Sequence, residues 1–262
     1  GALATLLPEY SWVGKARTDK TKKSGGGLGF LVNHKAASIV DDNVLNSKSD
    51  EFERLWLRVK LSGGKDIMIC VAYFPNDGID KEKSEILINE LIANLSFLKA
   101  KGFQCILLGD FNGSLPCFRP SNKTSYNGDL VKLLVEVTNT SVLNCSNLCI
   151  GKYTWERGSL KSCIDYAIAT EGFSQTLTSI TIDELGVYDI GSDHNTIVIC
   201  GQNTCDEIKA DRPHVTKQYS KWNLNKKVNW KVFETELAAR LNTWYCNHFD
   251  AVNETWASWC TM

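Results

Sequence analysis

The sequence predicts an α/β fold with mixed sheets, and two observations carry that prediction. The run "RLWLRVKL" (54–61), the turn "SGGKD" (62–66) and the run "IMICVAY" (67–73) form a hairpin pattern. The stretch from 67 to 108 then reads strand, helix, strand. Hairpins and strand–helix–strand units therefore share one chain, which argues against a regular parallel βαβ series.

Taken in order, "LGFLVN" (28–33) is a strand entered from a glycine run. In 54–61 the alternation sets Leu55, Leu57, Val59 and Leu61 on one face and Arg54, Trp56, Arg58 and Lys60 on the other. The strand 67–73 is apolar on both faces and stops at "FPND", because Pro75 cannot continue a central ladder. Within 80–100, Ile88, Leu91, Ile92, Leu95 and Leu98 repeat at helical spacing, and Gly102 is a stop signal. A buried strand follows directly at 104–108. A second helix is expected at 128–138, with Leu130, Leu133, Leu134 and Val137 on one face. "KYTWERG" (152–158), "CIDYAIA" (163–169), "ITIDEL" (180–185) and "NTIVIC" (195–200) read as further strands or strand ends. After Cys200 the chain turns polar and linker-like. An amphipathic helix is then expected from about Asn229, marked by Trp230, Phe233, Leu237, Leu241 and Trp244. The organisation expected is one domain over 1–200 and a linker with a helical tail over 201–262.

With 43% hydrophobic residues the chain can bury a sizeable core, and a net charge of −1 announces neither a nucleic-acid nor a membrane partner. The basic stretch "KARTDKTKK" (15–23) beside "SGGG" reads as a solvated loop, with phosphate-backbone contact as the alternative. No apolar run approaches the roughly 18–20 residues that span a bilayer. Among the ten cysteines, Cys70, Cys105, Cys163 and Cys200 sit in apolar strand-like runs, where free Cys behaves as a small hydrophobe. There is no CxxC pair, and Cys145 with Cys149 lacks a second pair for zinc. This usage favours a reducing compartment, so an intracellular location, nuclear or cytoplasmic, is expected. Starting at Gly1, the chain reads as a piece of a longer product.

Four motifs place polar groups at the ends of apolar strands: "AYFPND" (72–77), "GDFN" (109–112), "SCIDYAI" (162–168) and "GSDHNTI" (191–197). Each has a bland reading. Asp, Asn and Gly make turns, a lone His is more often structural than catalytic, Tyr73 suits a core or rim, and Asp165 suits a strand edge. Asn127-Gly128 reads as a turn, with a substrate-facing loop as its alternative. Together the four suit phosphate chemistry. Such chemistry needs an activated water, neutralised phosphate oxygens and a stabilised leaving group. Clustered carboxylates can hold Mg²⁺, and a histidine beside them can be fixed in one tautomer or kept protonated.

In this order the motifs resemble the endonuclease/exonuclease/phosphatase superfamily, which includes apurinic/apyrimidinic endonucleases and pancreatic deoxyribonuclease. The likeness is nearest to the endonuclease domain of non-LTR, LINE-type retrotransposons. It rests on "SGGGLGFLV", "VAYFPND", "LGDFN", Thr154-Trp155, "IDYAI" and "SDHNTI", and covers roughly residues 1–200. The resemblance implies a deoxyribonuclease-like sandwich of two sheets flanked by helices. It implies that Asp110 orients or deprotonates the attacking water and that Asn112 fixes that water and a phosphate oxygen. His194 would stabilise the phosphate in the transition state, with Asp165 as its carboxylate partner. Tyr73 would bond the phosphate, Asn76 would bind substrate, and Asp193 would help to bind the metal ion. Mg²⁺, with Mn²⁺ as a substitute, is the implied cofactor.

The implied partners are DNA and, in a parent polyprotein, a downstream reverse transcriptase domain. No membrane is implied. The implied activity is metal-dependent hydrolysis of DNA phosphodiester bonds. One departure matters: the family's metal-ligating Glu and its opening strands would lie upstream of Gly1. Neither Glu9 nor Glu51 sits in the matching context, so weak or absent activity is the expectation. The rival readings are a phosphatase or phosphodiesterase of the same superfamily, and a non-catalytic remnant serving as an interaction module.

Overall fold

The computed structural model describes residues 8–17, 26–40, 45–46, 53–61, 66–119, 123–188, 191–201 and 235. The chain divides into two units, Gly1–Lys217 and Gln218–Met262, and all the described residues but Thr235 belong to the first. Most of the basic loop, most of the "SGGKD" turn and, Thr235 apart, the expected tail helix lie outside the described residues.

Strands β1 (Tyr10–Ala16) and β2 (Gly27–Asn33) form an antiparallel ribbon. An antiparallel meander follows, made of β3 (Ala37–Val40), β4 (Arg54–Leu61) and β5 (Asp66–Tyr73). Helix α1 (Lys81–Ala100) crosses to β6 (Gln104–Asp110), which pairs with β5 in parallel. Next come helix α2 (Tyr126–Thr138), the short strands β7 (Ser141–Val142) and β8 (Cys149–Ile150), and the hairpin of β9 (Trp155–Arg157) with β10 (Leu160–Ser162). The unit ends with β11 (Asp165–Ala169), the single turn α3 (Glu171–Ser174), β12 (Leu177–Ile182) and β13 (Ile197–Gly201).

The central sheet has six strands in the order β3-β4-β5-β6-β11-β7. Its two faces bury different partners. On one face, Leu87, Leu91 and Leu95 of α1 and Val131 and Leu134 of α2 share a core with Trp56, Cys70 and Leu107. On the other, Val13, Phe30 and Val32 of the ribbon cover Leu57, Val59 and Ile67. Beside them, Leu177 and Ile180 of the sheet β13-β12-β8 cover Ile106, Ala167 and Ala169. Two strand layers with helices outside form the deoxyribonuclease-like sandwich that the resemblance implies. Among the described residues the second strand layer is in two parts, β1-β2 and β13-β12-β8.

Local chemistry sets the ends of the elements. Asp80 caps α1 by accepting the Lys83 amide at 3.0 Å, and Gly102, with φ of 80°, turns the chain out of it. Helix α2 begins two residues earlier than the spacing suggests, because Ser125 accepts the Gly128 amide at 3.2 Å. Its buried face also differs. Val131 and Leu134 point inward with Asn127, Gly128 and Thr138, whereas Leu133 and Val137 are 42% and 55% exposed. The leucine pattern fits two faces, and on the true one the Asn127 side-chain N–H groups and the Thr138 hydroxyl donate to backbone carbonyls.

In β4 the alternation is present, but Arg54 and Trp56 are buried like Leu55 and Leu57. The first half of the strand lies between two layers and has no wet face, and Arg54 is matched there by Glu90 of α1 at 2.8 Å, while Lys60 stays exposed. Strand β12 runs Leu177–Ile182 rather than 180–185. It stops because Asp183 accepts the amides of Val187 and Tyr188.

Gly109 has φ of 155°, and a Cβ there would collide with the Ala72 carbonyl oxygen of the adjacent strand. Gly109→Ala is therefore expected to destabilise the fold by about 3 kcal/mol or more, read from the shift of a urea unfolding curve.

Candidate active site

The central sheet brings three predicted residues to one level. Tyr73 at the end of β5 is the register partner of Asp110 at the end of β6. Asp110 is in turn the partner of Asp165 at the start of β11. Partners in register share a face, so two carboxylates stand side by side at a sheet edge. Beyond Asp110 the chain stays rigid. Phe111 is fully buried and stacks on Phe74 with ring centroids 5.0 Å apart.

Asn112 then takes a left-handed conformation, φ 46°, which Asn tolerates. Its backbone N–H donates to Asp110 Oδ1 at 2.8 Å. Its side-chain amide donates to Asp110 Oδ2 at 3.2 Å and to the Phe74 carbonyl at 3.0 Å. The turn reading and the site reading of "GDFN" thus describe the same atoms: the turn fixes both oxygens of Asp110.

His194 arrives from a distant loop and is placed by Thr154-Trp155. Thr154, fully buried, accepts the amides of Ile164 and Asp165 at its hydroxyl, both at 3.0 Å. Its carbonyl accepts the Asn195 amide at 2.7 Å, and the indole of Trp155 donates to Asp193 at 3.0 Å. One dipeptide therefore latches the strand carrying Asp165 to the segment carrying His194. Their side chains meet, with His194 Nδ1 2.9 Å from Asp165 Oδ2 and 3.1 Å from Oδ1. Thr154→Val leaves two part-buried amides without their acceptor. It should cost about 2–3 kcal/mol of stability in thermal melts.

The electrostatics follow from this packing. Burial and then the neighbouring Asp165 charge raise the Asp110 carboxyl from 3.8 to about 6. The hydrogen bond to Asp165 raises His194 above its ordinary value, against the opposing effect of burial. Asp110, Asp165 and His194 offer ligand atoms within 4.8 Å of one another. A pair of crowded carboxylates is the environment that a hard divalent cation relieves, so the residues fit such an ion. In this arrangement the imidazole is engaged by Asp165, which leaves oxygens as the natural donors to Mg²⁺.

The remaining predicted residues fall around this cluster. Tyr73 adjoins it, half-buried, with the Arg17 guanidinium 5.4 Å from its ring centroid. Asn76 is exposed in the turn after β5, where its carbonyl accepts the Ile79 amide. Asp193 lies next to His194 in sequence but outside the three-residue group, with its carboxylate on the Trp155 indole. Glu9 pairs with Lys35 at 3.3 Å, and Glu51 is outside the described residues.

Supporting residues emerge that sequence reading missed or undervalued. Asn127 sits in the first turn of α2, not in a loop, and is fully buried. Its amide donates to the carbonyls of Pro75 and Phe111, tying the loop after β5 to the loop after β6. Asn144 holds β11 by donating to the Asp165 carbonyl and accepting the Ala167 amide. Glu53 accepts the Tyr73 amide at its carbonyl, and its carboxylate grips Arg17 through two hydrogen bonds. In the sequence Asn127 reads as part of an Asn-Gly turn or a substrate-facing loop, and neither reading reveals burial.

Among solved structures, the chain is similar to the endonuclease domain of TRAS1, a telomere-specific non-LTR retrotransposon. That match has a TM-score of 0.54 at 16% identity and covers 73% of this chain and 80% of that one. It is similar to a 3′-5′ exonuclease from Neisseria meningitidis, with a TM-score of 0.55, 17% identity, and coverage of 76% and 82%. It is also similar to the human Nocturnin catalytic domain, with a TM-score of 0.54, 15% identity, and coverage of 76% and 73%. At these identities the likeness establishes the shared fold. No curated protein sequence matches the chain. The family model described as endonuclease-reverse transcriptase matches residues 67–198, just over half of the chain and the span that holds Tyr73, Asp110, Asp165 and His194. With that match and this fold, the chain belongs to the endonuclease-reverse transcriptase family, within the endonuclease/exonuclease/phosphatase superfamily.

Proposed function

We propose that the chain is an endonuclease that hydrolyses DNA phosphodiester bonds with a divalent cation, Mg²⁺ first and Mn²⁺ as a substitute. The observation that carries this reading is the Asp165–His194 pair held beside Asp110 at one sheet edge. Asp110, fixed by Asn112, orients a water and accepts its proton. His194 gives Nδ1 to Asp165, so its Nε2 is left to face a phosphate oxygen. The raised affinity of His194 for its proton makes that nitrogen a donor. Tyr73 and Asn76 line the approach from the neighbouring strand end and bind the phosphate backbone. Carboxylate oxygens of Asp110 and Asp165 would hold the cation, and Asp193 supplies further negative charge beside His194. When bound, the cation neutralises phosphate charge and polarises the bond to be cut. The family's description as endonuclease-reverse transcriptase supports DNA as substrate and a reverse transcriptase domain as the partner in a longer polyprotein.

Supercoiled plasmid tests the proposal. Slow conversion to the nicked form with Mg²⁺, abolished by EDTA, is the expected result. Release of phosphate from phosphomonoesters without plasmid nicking would overturn it in favour of a phosphatase. Binding of DNA with no turnover by any of these substrates would favour a non-catalytic module.

A further inference from the structure

Cys117 and Cys145 are 28 residues apart in sequence, yet their sulfurs are 3.3 Å apart. Both residues are exposed, unlike Cys70, Cys105 and Cys163. Each lies in a single 3₁₀ turn, Pro116–Phe118 and Leu143–Cys145. Both turns are anchored on the same strand. Leu115, just before the first, donates its amide to the Tyr166 hydroxyl of β11 at 3.1 Å. Asn144, inside the second, bonds the backbone of β11 at Asp165 and Ala167. The shared anchor holds the two thiols in contact, and no hydrophobic packing role accounts for two exposed sulfurs meeting.

We propose that Cys117 and Cys145 form a redox-modification site that closes to an intramolecular disulfide under mild peroxide. The proposal is independent of the catalytic reading. Either sulfur can lead to the same product, and Cys117 is taken first. Its thiolate attacks one peroxide oxygen: an S–O bond forms, the O–O bond breaks, and hydroxide leaves and becomes water by taking a proton. The Cys145 sulfur then attacks the Cys117 sulfur. An S–S bond forms, the S–O bond breaks, and the Cys145 proton leaves with the hydroxyl group as a second water. Two thiols are oxidised by two electrons and one peroxide is reduced to two waters. Closing the bond asks the sulfurs to approach by roughly 1.3 Å, within the reach of two surface turns. The product staples the loop leaving Asp110 to the turn that supports Asp165.

The full chain, treated with a small excess of hydrogen peroxide and then alkylated, should lose two mass units at this site. Peptide mapping should join the Cys117 and Cys145 peptides, and the melting temperature should rise by about 5 °C or more over the reduced protein. Cys117→Ser and Cys145→Ser should each abolish the cross-linked peptide and the rise, while melting like the reduced parent. Oxidation at Cys205, Cys246 or Cys260 would survive both substitutions and is separated by the map. The proposal is overturned by addition of oxygen to Cys117 without cross-linking, by a disulfide-linked dimer on a non-reducing gel, or by thiols that remain free throughout.

Discussion

Asp110→Asn is expected to lower plasmid nicking at pH 7.5 by about 10²–10⁴-fold, the range for loss of a positioned general base, and to raise the melting temperature of the same protein. The two effects have one cause. Packing carries the Asp110 carboxyl from 3.8 to about 6, so ionising it in the folded protein costs about 3 kcal/mol. The sign follows from linkage. A folded-state value above the unfolded one leaves stability intact below pH 3.8, and stability is lost as pH rises through about 6. The Asn variant escapes that loss. It forfeits a hydrogen bond from Asn112, worth about 1 kcal/mol, for a net gain of about 2 kcal/mol at pH 7.5. Thermal melts in EDTA should show a rise of about 4–8 °C at that pH and almost none at pH 4. Added Mg²⁺ should narrow the gap by stabilising the parent alone. A lower melting temperature for the variant in EDTA would mean that the carboxylate is not strained by its surroundings.

His194→Ala is expected to reduce nicking by a similar 10²–10⁴-fold, through loss of a donor aimed at the phosphate. Asp165→Asn gives the more discriminating result. Asp165 is the main reason that His194 holds its proton above the ordinary range. The pair's contribution to stability is full below pH 6.5 and is lost as pH rises past the raised value. Asp165→Asn should therefore move the His194 titration toward lower pH, read by the ring-proton NMR shift in EDTA. The alkaline limb of the nicking profile should move the same way. An unmoved titration would show that Asp165 orients nothing, whatever happens to the rate.

Those three residues were legible in the sequence because acids at the ends of apolar strands are a local signal. Their supports were not. Thr154 acts on amides 10 and 11 residues away, and Asn127 acts on carbonyls 52 and 16 residues away. Nothing in the neighbourhood of either residue marks it as buried: Asn127 reads as part of an Asn-Gly turn, and Thr154 as part of a strand end. The faces of α2 were misjudged for a related reason. Leu133 and Val137 fit a helical stripe as well as Val131 and Leu134 do, and the tertiary bonds of Asn127 to the carbonyls of Pro75 and Phe111 choose between the stripes. Strand β4 shows the opposite failure. Its pattern promised a polar face, and the overlying helix filled that face with Trp56 and the Arg54–Glu90 pair. Asp193 was legible as an acid beside the site, while its engagement by the Trp155 indole was not.

The alignment of Tyr73, Asp110 and Asp165 on three adjacent strands has an evolutionary consequence. The chain leaves the sheet after the first two and enters it at the third, so the loops that follow β5 and β6 are appended to the carboxylates rather than woven between them. On the proposed endonuclease reading, 76–79 is the stretch that can be rewritten for a new target while the spacing of the carboxylates is unchanged, because 113–119 is tied to Tyr166 through Leu115. Asn127 sets the limit of that freedom: a rewritten loop must still return the carbonyls of residues 75 and 111 to the same amide.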